Sequence, residues 1–229
     1  AAELETLSIP SIAANEIKEA QALLNWIADD NLTFLGYRCY DLTMVDGNDA
    51  LRPQPGSGLG ILRQPAGEAP ESKSFALLPL GVRAKAREPK ILVMSKANSR
   101  SNVHRVAYMD YLGVKRFDHE GNVIGEHRFL GLYAASAYVH SVADIPVLRD
   151  KLNHVMRVMG YLPGSHSAKD LLQFMETYPR DELFQIDPDL LAGIADSVLH
   201  LQETRRTHLY LRDDDYGRFV SALVYLPRD

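Results

Sequence analysis

An α+β fold, with an antiparallel sheet followed by helices and a closing β hairpin, is predicted by three features of the sequence. Residues 32–133 carry strand-like runs separated by turn chemistry, residues 144–201 carry helical periodicity, and residues 207–226 form two apolar runs about a polar turn. A chain of 229 residues that is 46% hydrophobic has enough apolar material for one large domain or two small ones.

The first element is a helix over about 15–29. Ile17, Ala20, Leu23, Leu24 and Ile27 recur at three- and four-residue spacing, and Asn15 is the expected N-cap. Leu32 to Leu42 then reads as a strand. Residues 46–67, rich in Gly, Pro, Asp and Asn, read as a long connection holding one short strand at Leu59–Leu62. Pro65–Lys73 reads as a mobile loop. Further strands are expected at 90–96, 103–117 and 123–133. Asp118–Asn122 forms a hairpin turn, and Gly113 is expected to mark a bulge.

Three helices follow. Asp144 is expected to cap the first, Ser167 to open the second, and Asp187-Pro188 to start the third. Thr207–Arg212 and Gly217–Leu226 then make a hairpin. A lone two-stranded ribbon is marginal in water, so it either docks on the helices or opens a further domain. An N-terminus that is not Met, and a ribbon followed only by a few residues, together lead to the expectation of a piece of a longer polypeptide.

Composition excludes several classes. A formal charge of −5 argues against general nucleic-acid binding, and no run approaches the ~18 apolar residues of a membrane helix. The single cysteine, Cys39, is the usage of a reducing compartment, and the cytoplasm is the expected location.

Motifs give no reaction. Gly56-Ser57-Gly58-Leu59-Gly60 lacks the third glycine and the helix of a dinucleotide loop, and lacks the Gly-Lys-Ser/Thr of a P-loop. Asp118, His119, Glu126 and His127 lie near one hairpin end, where a solvated turn is the favoured reading over a metal site. No catalytic, cofactor-binding or metal-ligating set is read. Charge is the stronger signal: residues 83–128 carry ten Lys and Arg against five Asp and Glu, whereas the remainder carries fifteen against twenty-five. Lys96, Arg100, His104, Arg105 and Arg128 are therefore the candidate anion-binding or interdomain-contact residues, since arginine grips carboxylate or phosphate bidentately. Around Tyr178–Phe184, dense charge is expected to hold helices together by ion pairing.

Seven ordered blocks carry a family resemblance: Phe34–Arg38, Gly56–Arg63, Lys96–Ser101, Asp110–Asp118, Arg128–Tyr133, Glu176–Phe184 and Gly217–Ser221. Over about residues 20–229 the chain resembles the N-terminal regulatory region of the large bacterial NAD-dependent glutamate dehydrogenases. The resemblance implies an N-terminal helix (1–31), a PAS-like antiparallel sheet domain (32–140), a helical linker (141–205) and the first hairpin of an ACT-like module (206–229). It implies a non-catalytic regulatory or oligomerisation segment, with no cofactor of its own, in an enzyme that converts glutamate to 2-oxoglutarate and ammonia and reduces NAD. Its partners would be other domains and subunits of a homo-oligomer, and conceivable effectors are an amino acid, a carboxylate or a nucleotide. No nucleic-acid or membrane partner is expected. The alternative is a stand-alone PAS/ACT-type sensing or assembly module without enzyme activity.

Overall fold

The computed structural model describes residues 1, 4, 9–63, 80–200 and 206–226. It divides into two compact units, residues 1–134 with 215–218, and residues 135–214 with 219–229.

In the first unit, α1 (Ala14–Trp26) runs into a wide turn, Ile27–Asn31. Asn15 lies inside the helix; the N-cap is Ala13, with no side-chain cap, so the expected cap is displaced by two residues. Asp30 takes φ +61°, and Asn31 stitches the turn by donating from Nδ2 to the carbonyls of Trp26 (2.8 Å) and Asp29 (3.0 Å). The sheet is built from β1 (Leu32–Val45), β2 (Asn48–Pro53), β3 (Leu59–Gly60), β4 (Leu92–Arg100), β5 (Tyr108–Phe117) and β6 (Val123–Tyr133). A short helix, α2 (Leu80–Arg87), precedes β4. The strand order is β2-β1-β6-β5-β4, with β3 paired to β1, and every pairing is antiparallel.

Several expectations are corrected. The connection after Asp46 contains β2, an edge strand that ends at Pro53, where a missing N–H is tolerated. The short strand stops at Gly60, and Ile61 and Leu62 form a turn. Residues 101–107 are a loop, so β5 begins at Tyr108. Gly113 sits in register with Val93 and Arg128, without a bulge. Its reason is space: a Cβ there would lie 3.2 Å from Glu126 Oε2, Tyr111 Cε1 and Val93 Cβ. Pro65–Lys73 falls outside the described residues.

Alternation gives the sheet two faces. Tyr40, Val93, Met109, Tyr111 and Leu130 share one face, packed with Leu51, Ala86 of α2 and Tyr216. Tyr37, Val114, His127 and Phe129 lie on the other, beside the C-terminal end of α1.

The second unit contains α3 (Ser136–Val139), α4 (Leu148–Val158), α5 (His166–Thr177), α6 (Arg180–Gln185) and α7 (Pro188–His200), then β7 (His208–Asp213) and β8 (Val220–Tyr225). The first long helix opens at Leu148 instead of after Asp144. Pro146 is followed by Val147 at φ +70°, a backbone state that breaks the helix there. Ser165 caps α5 by accepting from Ala168 N–H at 3.1 Å, so the expected Ser167 is already helical. In α7, Leu191 and Ile194 are buried while Leu190 is 45% exposed. The core holds Leu148, Leu171, Met175, Leu183 and Leu191. Among the described residues no helix is long and apolar enough to cross a membrane.

Candidate functional site

Alternation on β6 puts Glu126 and Arg128 on the inner face beside Tyr111 of β5, although charged side chains are rarely buried without partners. They are fully engaged with one another. Arg128 donates from Nη2 (2.7 Å) and Nε (3.0 Å) to Glu126 Oε1, and from Nε to Tyr111 Oη at 3.1 Å. The Tyr111 hydroxyl donates to the same carboxylate oxygen. The guanidinium lies 3.9 Å from the centre of the Tyr40 ring and 5.1 Å from that of Tyr111. Arg218 covers the other side of this cluster, 4.6 Å from the Tyr111 ring, and donates to the Lys96 carbonyl at 3.0 Å.

Burial disfavours the phenolate of Tyr111, and the nearby Arg128 charge only partly offsets this, so its proton is held far more tightly than usual. Lys115 lies on the same face. Desolvation outweighs the pull of Glu88 and Glu126 and lowers its pKa to about 8. Its ammonium donates to the carbonyls of Lys85 (2.6 Å) and Glu88 (2.8 Å). Lys115, Glu126, Arg128, Tyr216 and Arg218 help line a small cavity of about 50 Å³, which suits a few waters.

The candidate residues from the sequence are distributed unevenly around this cluster. Lys96 forms an ion pair with Asp110 at 2.5 Å, and Asp110 also accepts from Tyr133 N–H at 3.1 Å. Arg100 is exposed at the end of β4, with its guanidinium 4.8 Å from the Tyr108 ring. His104, at φ +66°, and Arg105 sit in the exposed loop, and Arg105 donates to the Tyr133 carbonyl at 3.0 Å. Arg128 stands apart from these on the inner face, linked to Lys96 through Tyr111 and Arg218. The four residues of β4 and its loop thus follow one another in sequence order without converging on one point with Arg128.

Reading residues singly missed Tyr111 and Arg218, and weighed Glu126 only with Asp118, His119 and His127 at the hairpin end instead of as the partner of Arg128. The i, i+2 spacing of Glu126 and Arg128 was available as a signal. Their pairing with Tyr111 depends on strand register, and that of Arg218 on chain return. Glu126 and His127 point to opposite sheet faces, and among the described residues no group of three His, Cys, Asp or Glu is placed to hold a metal ion.

In the second unit the charge around Tyr178–Phe184 is structural, as the sequence predicts. Glu176 accepts from Ser141 Oγ (2.6 Å), Val142 N–H (2.8 Å) and Arg180 Nη2 (3.1 Å). Arg212 of β7 forms a bidentate pair with Glu182 of α6, both side chains being buried. Lys151 donates to the carbonyls of Leu183 (2.9 Å), Phe184 (2.9 Å) and Ile186 (2.6 Å), closing the end of α6. The inner side of the hairpin rests on these helices: Tyr210 Oη donates to Ser197 Oγ at 2.7 Å, and Tyr225 stacks near Phe174. Its outer side is bare, with Leu209, Leu211, Val220 and Val224 between 57% and 64% exposed.

Comparison with known proteins adds two kinds of likeness. Residues 145–204 match the family model described as glutamate dehydrogenase, helical motif 1, and residues 208–229 match that described as glutamate dehydrogenase, ACT2 domain. The chain is 40% identical over 229 residues to the NAD-specific glutamate dehydrogenase of Halomonas elongata, covering 99% of this chain and 14% of that protein. It is 39% identical over 219 residues to that of Pseudomonas aeruginosa, covering 95% and 13%. With the Mycobacterium tuberculosis protein of the same name it shares 31% over 230 residues, covering 100% and 13%. The chain therefore spans about a seventh of the length of these curated relatives.

Proposed function

This chain belongs to the NAD-specific glutamate dehydrogenase family, as a segment of its N-terminal region, and we propose that it is a non-catalytic regulatory and assembly segment of such an enzyme. The whole enzyme, in this reading, is a cytoplasmic homo-oligomer that deaminates glutamate to 2-oxoglutarate and ammonia and reduces NAD. The observation that carries the proposal is the hairpin. One side is seated on its own helices, while the other presents Leu209, Leu211, Val220 and Val224 to water. A contiguous apolar face of this kind marks an interaction surface, and the match to an ACT2 model over 208–229 supports reading the ribbon as the opening of an ACT-like module that other residues cover.

The sheet unit is read as PAS-like. Leaving out the two-residue β3, its antiparallel order is 2-1-5-4-3, in which a hairpin forms one edge and a three-strand meander the other. The basic stretch is read as an assembly contact. Lys96 and Arg128 are held by Asp110 and Glu126, and Arg100, His104 and Arg105 spread along an exposed edge. An effector that bridges this edge to another domain remains compatible with the same contact.

Paired charges on the bare ribbon test the reading. Leu211→Asp with Val224→Asp is expected to leave the melting temperature of the 229-residue chain within about 2 °C, because both side chains are already in water. In the intact dehydrogenase the same pair is expected to lower the melting temperature and loosen the sedimenting assembly. An intact enzyme with unchanged assembly and stability overturns the proposal. So does glutamate-dependent NAD reduction by the 229-residue chain.

A further inference from the structure

The sheet face opposite the Arg128–Glu126 cluster carries an open cleft of about 800 Å³, within the range of small-molecule sites. Leu24, Ile27, Phe34, Tyr37, Leu59 and Phe129 are among the residues that line it. Four rings follow one another across β1 and β6. Phe34 meets Phe129 edge-on at 5.9 Å, Phe129 meets Tyr37 at 5.0 Å, and Tyr37 stacks on His127 at 6.1 Å. The Tyr37 hydroxyl and His127 Nδ1 are hydrogen bonded at 2.9 Å, a polar spot in an otherwise apolar wall.

We propose that this cleft between α1 and the outer sheet face binds a planar aromatic small molecule, neutral or anionic. A row of rings in tilted and edge-on orientations offers both edges and faces to a flat π system, which an aliphatic chain exploits less well. Charge sets the second half of the specificity. Among the described lining residues there is no Asp or Glu, so an anion meets no carboxylate among them; Lys115 also lines the cleft, but its ammonium serves the opposite sheet face, where it donates to the carbonyls of Lys85 and Glu88. The polar spot at Tyr37 and His127 fixes where a polar substituent of the ligand lies. The inference is independent of the dehydrogenase reading, since the cleft is formed by α1, its wide turn, the sheet and the N-terminal residues Ala1 and Leu4.

The test uses a neutral aromatic probe, N-phenyl-1-naphthylamine, and its sulfonated relative 8-anilinonaphthalene-1-sulfonate, with the 229-residue chain. Trp26 is the single tryptophan and lies between the cleft residues Asn25 and Ile27, so energy transfer from it reports occupancy. Saturable one-to-one binding of both probes, with transfer from Trp26, is expected. Phe34 is 48% exposed and Leu59 is 55% exposed, so Phe34→Asp and Leu59→Asp are expected to fold with melting temperatures within about 2 °C of the parent. Each is expected to weaken N-phenyl-1-naphthylamine about tenfold or more, by placing a carboxylate in the apolar wall. Unchanged probe affinity in both folded variants overturns the assignment. Stronger binding of dodecanoate than of either aromatic probe overturns the ligand class. Dissociation of a dimer by Phe34→Asp, without probe binding to the parent, shows the cleft to be a contact between copies and also overturns it.

Discussion

At the residue scale the clearest energetic commitment is the Arg128–Glu126 pair, with side chains 13% and 5% exposed. A buried pair gains little over a well-packed apolar substitute, but breaking it leaves one charge without compensation. Glu126→Gln is therefore expected to cost about 3–5 kcal/mol in urea unfolding. The double variant Glu126→Leu with Arg128→Met is expected to cost less than that single change, and a loss below about 1 kcal/mol for Glu126→Gln means that water reaches the pair. Gly113 belongs to the same arrangement. A methyl group there would press on Tyr111, Glu126 and Val93, each 3.2 Å away, so Gly113→Ala is expected to destabilise by about 1–3 kcal/mol. The sequence made Arg128 visible as a cation and left its role hidden. Glu126 two residues away shares its face by alternation, but Tyr111 and Arg218 join through strand register and chain return, which no local pattern encodes.

At the element scale the caps offer the sharpest check. Ser165 accepts from Ala168 N–H, whereas Ser167 lies within α5, so Ser165→Ala is expected to cost about 1 kcal/mol and Ser167→Ala only a few tenths. Equal losses in thermal or urea melts would return the cap to Ser167. The periodic elements β1, β6, α5 and α7 were legible because apolar spacing decides them. β2 was not, since Asn48-Asp49-Ala50-Leu51-Arg52-Pro53 has the composition of a turn and is a strand only by pairing with β1. The stretch 101–107 reads like β5 continued, yet its ladder ends at Tyr108, past the irregular pairing between Lys96 and Arg100. In α4 the helix itself was legible and its start was not, because Val147 at φ +70° is a tertiary choice that its own side chain disfavours.

At the scale of the whole molecule, ionisable groups in both units combine into one dependence of stability on pH. Glu176 is partly buried, which opposes ionisation. The hydrogen bonds from Ser141, Val142 and Arg180 outweigh this and hold its pKa below 4.5. Its contribution is complete above that value and is lost as pH falls through the folded-state pKa. Lys115 acts in the opposite region. Its folded pKa of about 8 lies below the 10.5 of the unfolded chain, so between these values the unfolded state binds more protons and stability rises with pH. Burial raises the phenols of Tyr111, Tyr178 and Tyr216 well above 10.0, and that of Tyr225 to about 12. Above pH 10 the unfolded chain releases these protons while the folded one keeps them, so stability falls. The melting temperature is therefore expected to drop below pH 4.5, climb from about pH 8 towards 10, and fall steeply beyond. Lys115→Met is expected to flatten the climb between pH 8 and 10 and leave both outer limbs in place, because its ammonium, with a folded pKa of about 8 against 10.5 in the unfolded chain, is what makes stability rise across that range. A climb that persists in that variant would assign it to another group and return Lys115 to an ordinary, solvated lysine.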